Sequence, residues 1–216
     1  MLYAIEKDGL NSVANSMFSQ GALNIDFENQ YLLGSGVMSP LYVDAGALLG
    51  DPKSRSKLCC LFTFWINQFH PEIDAVVGIA NGGIAYATAV AGSKMLPLLI
   101  GLPKAKDHGL HNQIIGEIPF DGAKVALIDD VITTGRSALN VVEALRQGKN
   151  GKKAEVVGVY TVFDWDFKSV NQQFADSGVE KHSLITIKTL FDFGVQNKLI
   201  EPTKAEKILE FYNDQE

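Results

Sequence analysis

Cysteine is almost missing from this chain: two occur in 216 residues, and they are neighbours, Cys59 and Cys60. Adjacent side chains on a helix point about 100° apart, so this pair is not expected to bridge, and no disulfide framework builds the fold. Two buried thiols in a reducing cytoplasm are the expectation. The four histidines, His70, His108, His111 and His182, show no metal-ligand spacing with these cysteines. Long apolar runs are lacking as well. Pro, Gly or charge breaks each of them well short of the roughly 18 residues of a membrane helix, so no membrane partner is expected. The start, MLYAIEKDGL, has no basic segment leading into an apolar one, which argues against a secretory signal and for a cytoplasmic protein. Positive charge is in deficit: the formal net charge is −6, which argues against nucleic acid as the main partner. Repeats, low-complexity tracts and linker composition are also absent, so residues 1–216 read as one domain.

What is present is a globular composition, 46% hydrophobic, and one stretch around which the rest is organised. Val125–Asn140 reads VALIDDVITTGRSALN. Its apolar run, bounded by a turn, fits a buried parallel strand. Two carboxylates follow, Asp129 and Asp130, then Val131, Ile132 and the polar turn Thr133-Thr134-Gly135-Arg136-Ser137. A segment of helical composition runs from Ala138 to Arg146, which Ser137 or a neighbouring Thr can cap. A strand, a tight turn and a helix start gather backbone N–H groups and the positive end of a helix in one small volume, which suits a phosphate. The carboxylates are placed to hold ribose hydroxyls or a hydrated Mg²⁺. The same spacing also occurs in response-regulator and hydrolase folds, where the acids bind metal and the turn holds no phosphate. The string itself resembles the phosphoribosyl-pyrophosphate motif of type I phosphoribosyltransferases.

Along the chain, Asn11–Phe18 reads as a helix stopped by Gln20-Gly21. Ala22–Asp26 and Asn29–Leu33 are short, β-like and expected to pair as a small hairpin outside the main sheet. Together with the N-terminal helix they form a hood over about residues 1–45. Gly34–Pro40 is a loop, and Asp51-Pro52 opens a helix whose Leu58, Leu61, Phe62, Trp65, Ile66 and Phe69 recur at core spacing. Ile73–Ile79 is a strand ending in Asn81-Gly82-Gly83 and followed by a small-residue helix; Leu96–Ile100 is the next strand. Residues 102–118 show no clean period and predict a functional mobile loop. Glu155–Phe163, Val170–Asp176, Ser183–Thr186 and the helical tail Thr189–Tyr212 complete an alternation of strands and helices. The fold class is therefore α/β, a doubly wound parallel sheet flanked by helices.

Ligands of such sheets bind beyond the carboxyl ends of the strands. There the sequence supplies the phosphate turn, Asn81-Gly82-Gly83 for close approach to a pyrophosphate, and Asp164-Trp165-Asp166. The loop Lys104-Ala105-Lys106-Asp107-His108-Gly109 adds a compact cationic tip. Its string A-K-D-H-G resembles the catalytic loop of orotate phosphoribosyltransferases. S-G-x-x-S-P at Ser35–Pro40 and ITIKTL at Ile185–Leu190 extend the resemblance over roughly Phe18 to Ile200.

The resemblance implies transfer of a 5-phosphoribosyl group from phosphoribosyl pyrophosphate to orotate, with Mg²⁺ on the pyrophosphate. Lys106 and His108 would offset charge on the leaving group and exclude water, with Asp129 and Asp130 in the catalytic set. Lys104, Tyr42 and Val43 join the implied substrate contacts. The family's loop reaches a neighbouring subunit, so a homodimer with shared sites is implied. Several positions depart from the pattern. Leu102-Pro103 replaces Arg-Lys, and Gly34 and Gly82 replace lysines. Asp164-Trp165-Asp166-Phe167 replaces D-R-x-E, whose Arg meets the orotate carboxylate. Trp165 is instead expected to stack on a base. Another, uncharged base, or a non-catalytic sensor of phosphoribosyl pyrophosphate, therefore stays open beside orotate.

Overall fold

The computed structural model describes residues 2–34, 36–104 and 113–215, with side chains from residue 6 onward. Helix α1 spans Leu2–Ser19 and is followed by β1 (Leu23–Ile25), β2 (Tyr31–Leu32), β3 (Met38–Ser39) and β4 (Leu41–Val43). A 3₁₀ turn at Ala45–Gly50 leads to α2 (Pro52–Phe69), β5 (Ala75–Ile79), α3 (Gly83–Lys94), β6 (Leu98–Gly101) and β7 (Ile114–Ile115). The chain continues through β8 (Ala123–Ile132), α4 (Arg136–Gln147), β9 (Ala154–Asp164), α5 (Lys168–Ser177), β10 (Glu180–Thr186), α6 (Ile187–Gln196) and α7 (Pro202–Asp214).

The main sheet has six strands in the order β10-β9-β8-β5-β6-β7, all parallel except the short edge strand β7. Alternate residues of its central strands feed two cores. Ala126 and Ile128 of β8 face α1, α2, α3, α6 and α7, whereas Val125 and Leu127 face α4 and α5. Burial on both faces is why these strands are continuous apolar runs rather than alternating ones. The doubly wound arrangement is as expected.

Local chemistry sets the element ends. Asp51 accepts a hydrogen bond from Ser54 N–H (2.8 Å) while Pro52 occupies the first turn, which starts α2. Thr186 and Thr189 bond reciprocally, each to the other's backbone, and start α6.

The structure differs from the sequence expectation in several places. Helix α1 begins well before Asn11. Its first half is held against α2 through the Trp65 indole donating to Glu6 (2.7 Å) and Gly9 lying against Leu61. Trp65 is accordingly half-buried and Phe69 exposed, so the buried stripe of α2 is Leu58, Leu61, Phe62 and Ile66. The two hood segments do not pair with each other. Asp26 accepts from the N–H groups of Glu28 and Asn29 and turns the chain, so β1 pairs with β4 and β2 with β3 as a nested ribbon. Cys59 is half-buried and Cys60 exposed; both are free thiols. No helix among the described residues is long and apolar enough to cross a membrane.

Candidate active site

Strand β8 carries its regular backbone past both carboxylates to Ile132, and the turn Thr133–Gly135 then delivers the chain to α4. No side chain caps α4. Its N-cap is Gly135, with φ +68°, not Ser137 or a threonine as expected. A Cβ at Gly135 would meet Phe174 at 2.9 Å and Val170 at 3.1 Å, so glycine is required by conformation and by space alike. The side-chain contact nearest to a cap is a long 3.5 Å approach of Arg136 N to Thr134 Oγ1. The first N–H groups of α4 thus lack the partner that a capping side chain would supply, and they open onto a cavity of about 270 Å³. Its lining includes Gly34, Lys104, Asp129, Val131, Ile132 and the turn from Thr133 to Ser137.

The carboxylates differ in setting. Asp129 is 6% exposed and accepts from Asp130 N–H at 3.0 Å. Its burial, reinforced by the neighbouring Asp130 charge, holds its pKa well above the usual carboxylate range. Asp130 is partly exposed and accepts from Val131 N–H at 2.9 Å. The Thr161 hydroxyl, on neighbouring β9, donates to the Asp130 carbonyl at 3.0 Å and fixes that backbone. Beneath them lies Tyr86 of α3, buried, its hydroxyl donating to Ala45 O at 2.7 Å. Burial first, then the charges of Asp130 and Asp44, push the Tyr86 phenol up, so it stays neutral.

Asn81-Gly82-Gly83 arrives at the same place from β5. The Asp130 carboxylate lies directly over Gly82, where a Cβ would come within 2.0 Å of it. At Gly83 a Cβ would meet the Ile128 carbonyl oxygen at 2.1 Å, which explains why α3 opens on glycine. The two ends of the 102–113 excursion are tied together by Leu102 N–H to Gln113 O (2.7 Å). Asn140 of α4 donates to Pro103 O at 3.1 Å, which brings Lys104 to the mouth of the cavity. A second cavity, about 440 Å³, lies across the turn and is lined in part by Leu33, Val37, Arg136 and Phe167. Arg136 borders both cavities.

Most of the residues read from the sequence therefore converge: Asp129, Asp130, Val131, Thr133, Thr134, Gly135, Arg136, Ser137, Lys104, Asn81, Gly82 and Gly83. Ile132 contributes backbone only, since its side chain is buried and its carbonyl accepts from Trp165 N–H at 3.0 Å. Val43 is buried in the core of the hood side, and Tyr42 is exposed beside Tyr31; neither lines a cavity described above. Trp165 is not a base platform. It is 1% exposed, edge-on to Phe163 and stacked on Phe167. Lys106 and His108 lie outside the described residues. Gly34, Tyr86 and Thr161 were not expected at the site. Nothing in the sequence marks Tyr86 or Thr161, because each acts across a strand or helix packing contact that only the fold creates.

A phosphoribosyl transferase domain model matches residues 61–198. Orotate phosphoribosyltransferase of Lactococcus lactis subsp. lactis (strain IL1403) is 30% identical over 206 residues, 95% of this chain and 96% of that one. The crystal structure of orotate phosphoribosyltransferase from Aeropyrum pernix is 31% identical, with a TM-score of 0.71 over 83% of this chain and 96% of that one. Leishmania donovani UMP synthase shares the fold, with a TM-score of 0.78 at 20% identity, covering 94% of this chain and 42% of that one. With an open helix N-terminus, a carboxylate pair and a glycine turn meeting at the strand ends, this chain belongs to the phosphoribosyl transferase family and, within it, to the orotate phosphoribosyltransferases.

Proposed function

We propose that the chain transfers the 5-phosphoribosyl group of phosphoribosyl pyrophosphate to orotate, giving orotidine 5′-phosphate and pyrophosphate. The observation that carries this reading is the uncapped amino end of α4 facing a cavity bordered by Asp129, Arg136 and Lys104. The 5′-phosphate seats on the N–H groups of Thr133–Ser137, and the ribose hydroxyls meet Asp129 and Asp130. As the bond from C1 to the pyrophosphate oxygen breaks and the bond from C1 to the orotate nitrogen forms, positive charge gathers on the ribose and negative charge on the leaving group. Lys104 is placed to offset the latter. Lys106 and His108 belong to the same role, and the reading includes a homodimer in which that loop serves the partner's site.

A buried carboxylate held above its usual pKa beside a second carboxylate is a pair that gains from a hard cation or hydroxyl donors. Asp129 and Asp130 fit Mg²⁺ in that respect, directly or through water. Mg²⁺ would supply neutralisation of the pyrophosphate charge.

One observation favours a second reading, transfer to an uncharged base: Trp165, buried, stands where the family pattern has its carboxylate-binding Arg. Arg136, which borders both cavities, is then the candidate replacement for an orotate-type acceptor. Incubation with phosphoribosyl pyrophosphate, Mg²⁺ and a panel of free bases, with pyrophosphate release followed, decides between them. Release with orotate is expected. Release only with uncharged bases would install the second reading, and release with no base would overturn both.

A further inference from the structure

Two histidines far apart in the sequence meet at the β10 edge of the sheet, two strands away from β8. Strand β10 lies beside β9 in parallel register, with Glu180 opposite Gly158 and His182 opposite Tyr160. Residues two apart on a strand share a face, so Glu180 and His182 project together, as do Gly158 and Tyr160. The His182 ring is sandwiched between Tyr160 (centroids 4.8 Å apart, 18° between planes) and Phe69 (4.4 Å, 19°). His70, which ends α2, lays its ring over Gly158, where a Cβ would come within 3.0 Å of Cε1. The site is therefore built by packing: two aromatic faces fix one imidazole, and a glycine makes room for the other.

The ring nitrogens are sorted by their partners. His70 Nδ1 is 2.7 Å from the Tyr160 hydroxyl, which leaves Nε2 directed at Glu180 Oε2, 3.6 Å away. His182 Nε2 is 3.1 Å from the same carboxylate oxygen. All three potential ligand atoms lie within 4.8 Å of one another. Tetrahedral Zn²⁺ with bonds of roughly 2.0–2.1 Å sets its ligand atoms about 3.3–3.4 Å apart, so the two separations to Glu180 are close to the edges of such a site, and the imidazole pair, within 4.8 Å, closes on the ion by rotation of the exposed carboxylate and its neighbours. An imidazole whose second nitrogen is already hydrogen-bonded is also the usual form of a metal-ligating histidine.

We propose that His70, Glu180 and His182 form a binding site for a divalent transition-metal ion of the zinc type, with water in the fourth position. Two imidazoles and one carboxylate favour zinc, copper or nickel over Mg²⁺, which prefers an all-oxygen shell. The site is thus separate in place and in chemistry from the carboxylate pair at the strand ends. Glu180 is exposed, which leaves an entry path from solvent, while the two half-buried rings provide the fixed part. The bound ion ties the end of α2 to the edge strand β10.

Equilibrium dialysis of the chelator-stripped full-length protein against Zn²⁺, with Mg²⁺ in excess, tests this. One tightly held Zn²⁺ per chain is expected, and Co²⁺ in its place should give the strong visible absorption of a tetrahedral ion. His70→Ala and Glu180→Gln should each abolish the stoichiometric binding, and Tyr160→Phe should weaken it by about 10–100-fold. Binding should survive Cys59→Ser combined with Cys60→Ser. Should His70→Ala fail to fold, Glu180→Gln decides alone, since that side chain is exposed. No saturable binding by the wild-type chain, or binding unchanged in Glu180→Gln, or binding lost with the cysteines, would overturn the proposal and leave Glu180 as a hydrogen-bond acceptor shared by two histidines.

Discussion

Replacing Trp165 with alanine separates two roles that predict opposite signatures. If the indole is core, the cost is the transfer free energy of a large aromatic plus the cavity it leaves, about 3–5 kcal/mol for a fully buried Trp or Phe. The structure argues for the full range. The side chain is 1% exposed, packs edge-on to Phe163 at 6.0 Å, and heads a stack that continues through Phe167 (5.9 Å) to Tyr212 of α7. Collapse of the cavity is hindered because the Trp165 backbone is tied to Ile132 O. For a chain of this length about 1 kcal/mol moves the midpoint by roughly 2 °C, so scanning calorimetry should show a drop of about 6–10 °C. The Michaelis constant for the acceptor, measured well below both midpoints, should move less than about threefold. A stacking platform would behave the other way. It would lose about 1–3 kcal/mol of base affinity, roughly a 5- to 150-fold rise in that constant, with the midpoint nearly unchanged. That second pattern would refute the core assignment. By the same reasoning Trp165→Arg does not restore an acceptor-binding cation. It places a guanidinium among Phe163 and Phe167, and it should unfold the chain or express poorly.

Two further outcomes follow from the carboxylate pair. Gly82→Ala should force the Asp130 carboxylate off its position, because a Cβ there lies 2.0–2.4 Å from its atoms, and break its bond to Val131 N–H. A displacement of about 1 Å at a substrate-positioning group costs on the order of 100-fold in kcat/KM, and steady-state kinetics on a variant with an unshifted melting midpoint would show it; unchanged kinetics would dissociate Asp130 from the reaction. Asp129→Asn should abolish activity yet raise the midpoint at neutral pH by a few degrees, since it removes a buried charge held above its usual pKa by burial and by Asp130. The folded state binds the Asp129 proton more tightly than the unfolded chain does, so its penalty on stability grows as pH rises from the usual carboxylate range toward the folded pKa. The gap between variant and wild type should therefore close on acidification, and a gap that widens at low pH would contradict the assignment.

How much was legible in the sequence depended on the distance over which each feature is determined. The turn before α4 is written in consecutive residues: a strand run, two acids, a glycine where φ is positive, then a helix. Its position, and that of Asn81–Gly83 opposite it, followed from the rule that parallel strands present their carboxyl ends to ligands. Trp165 misled because its neighbours in sequence, Asp164 and Asp166, are polar and sit at a strand end. Its indole packs on Phe163 and Phe167, and Phe167 is stacked in turn on Tyr212 of α7, an arrangement that no local pattern reveals. The hood ribbon was mispaired for a similar reason: the Asp26 turn uses side-chain bonds that redirect the chain without a hairpin signal. His70 and His182 looked solitary, and only the register of β10 on β9 brings them together.

The missing lysines of the family pattern also acquire a physical account. A lysine at position 82 cannot coexist with the observed Asp130, because its first side-chain carbon would occupy the carboxylate's place. Gly82 and the seat of Asp130 are thus one feature, not a loss beside an unrelated acid. At the other rim Gly34 borders the cavity at the amino end of α4 with no side chain at all. Among the described residues the positive character of that cavity falls to Lys104, Arg136 and the uncapped amino end of α4. Neither cation is held in an ion pair among the described residues, so both are available to an anion, and Lys104 is brought there by the bond of Pro103 to Asn140. On the proposed reading, backbone donors, which do not titrate and lose little freedom on binding, make donor affinity depend on the shape of the Thr133–Gly135 turn more than on any single lysine.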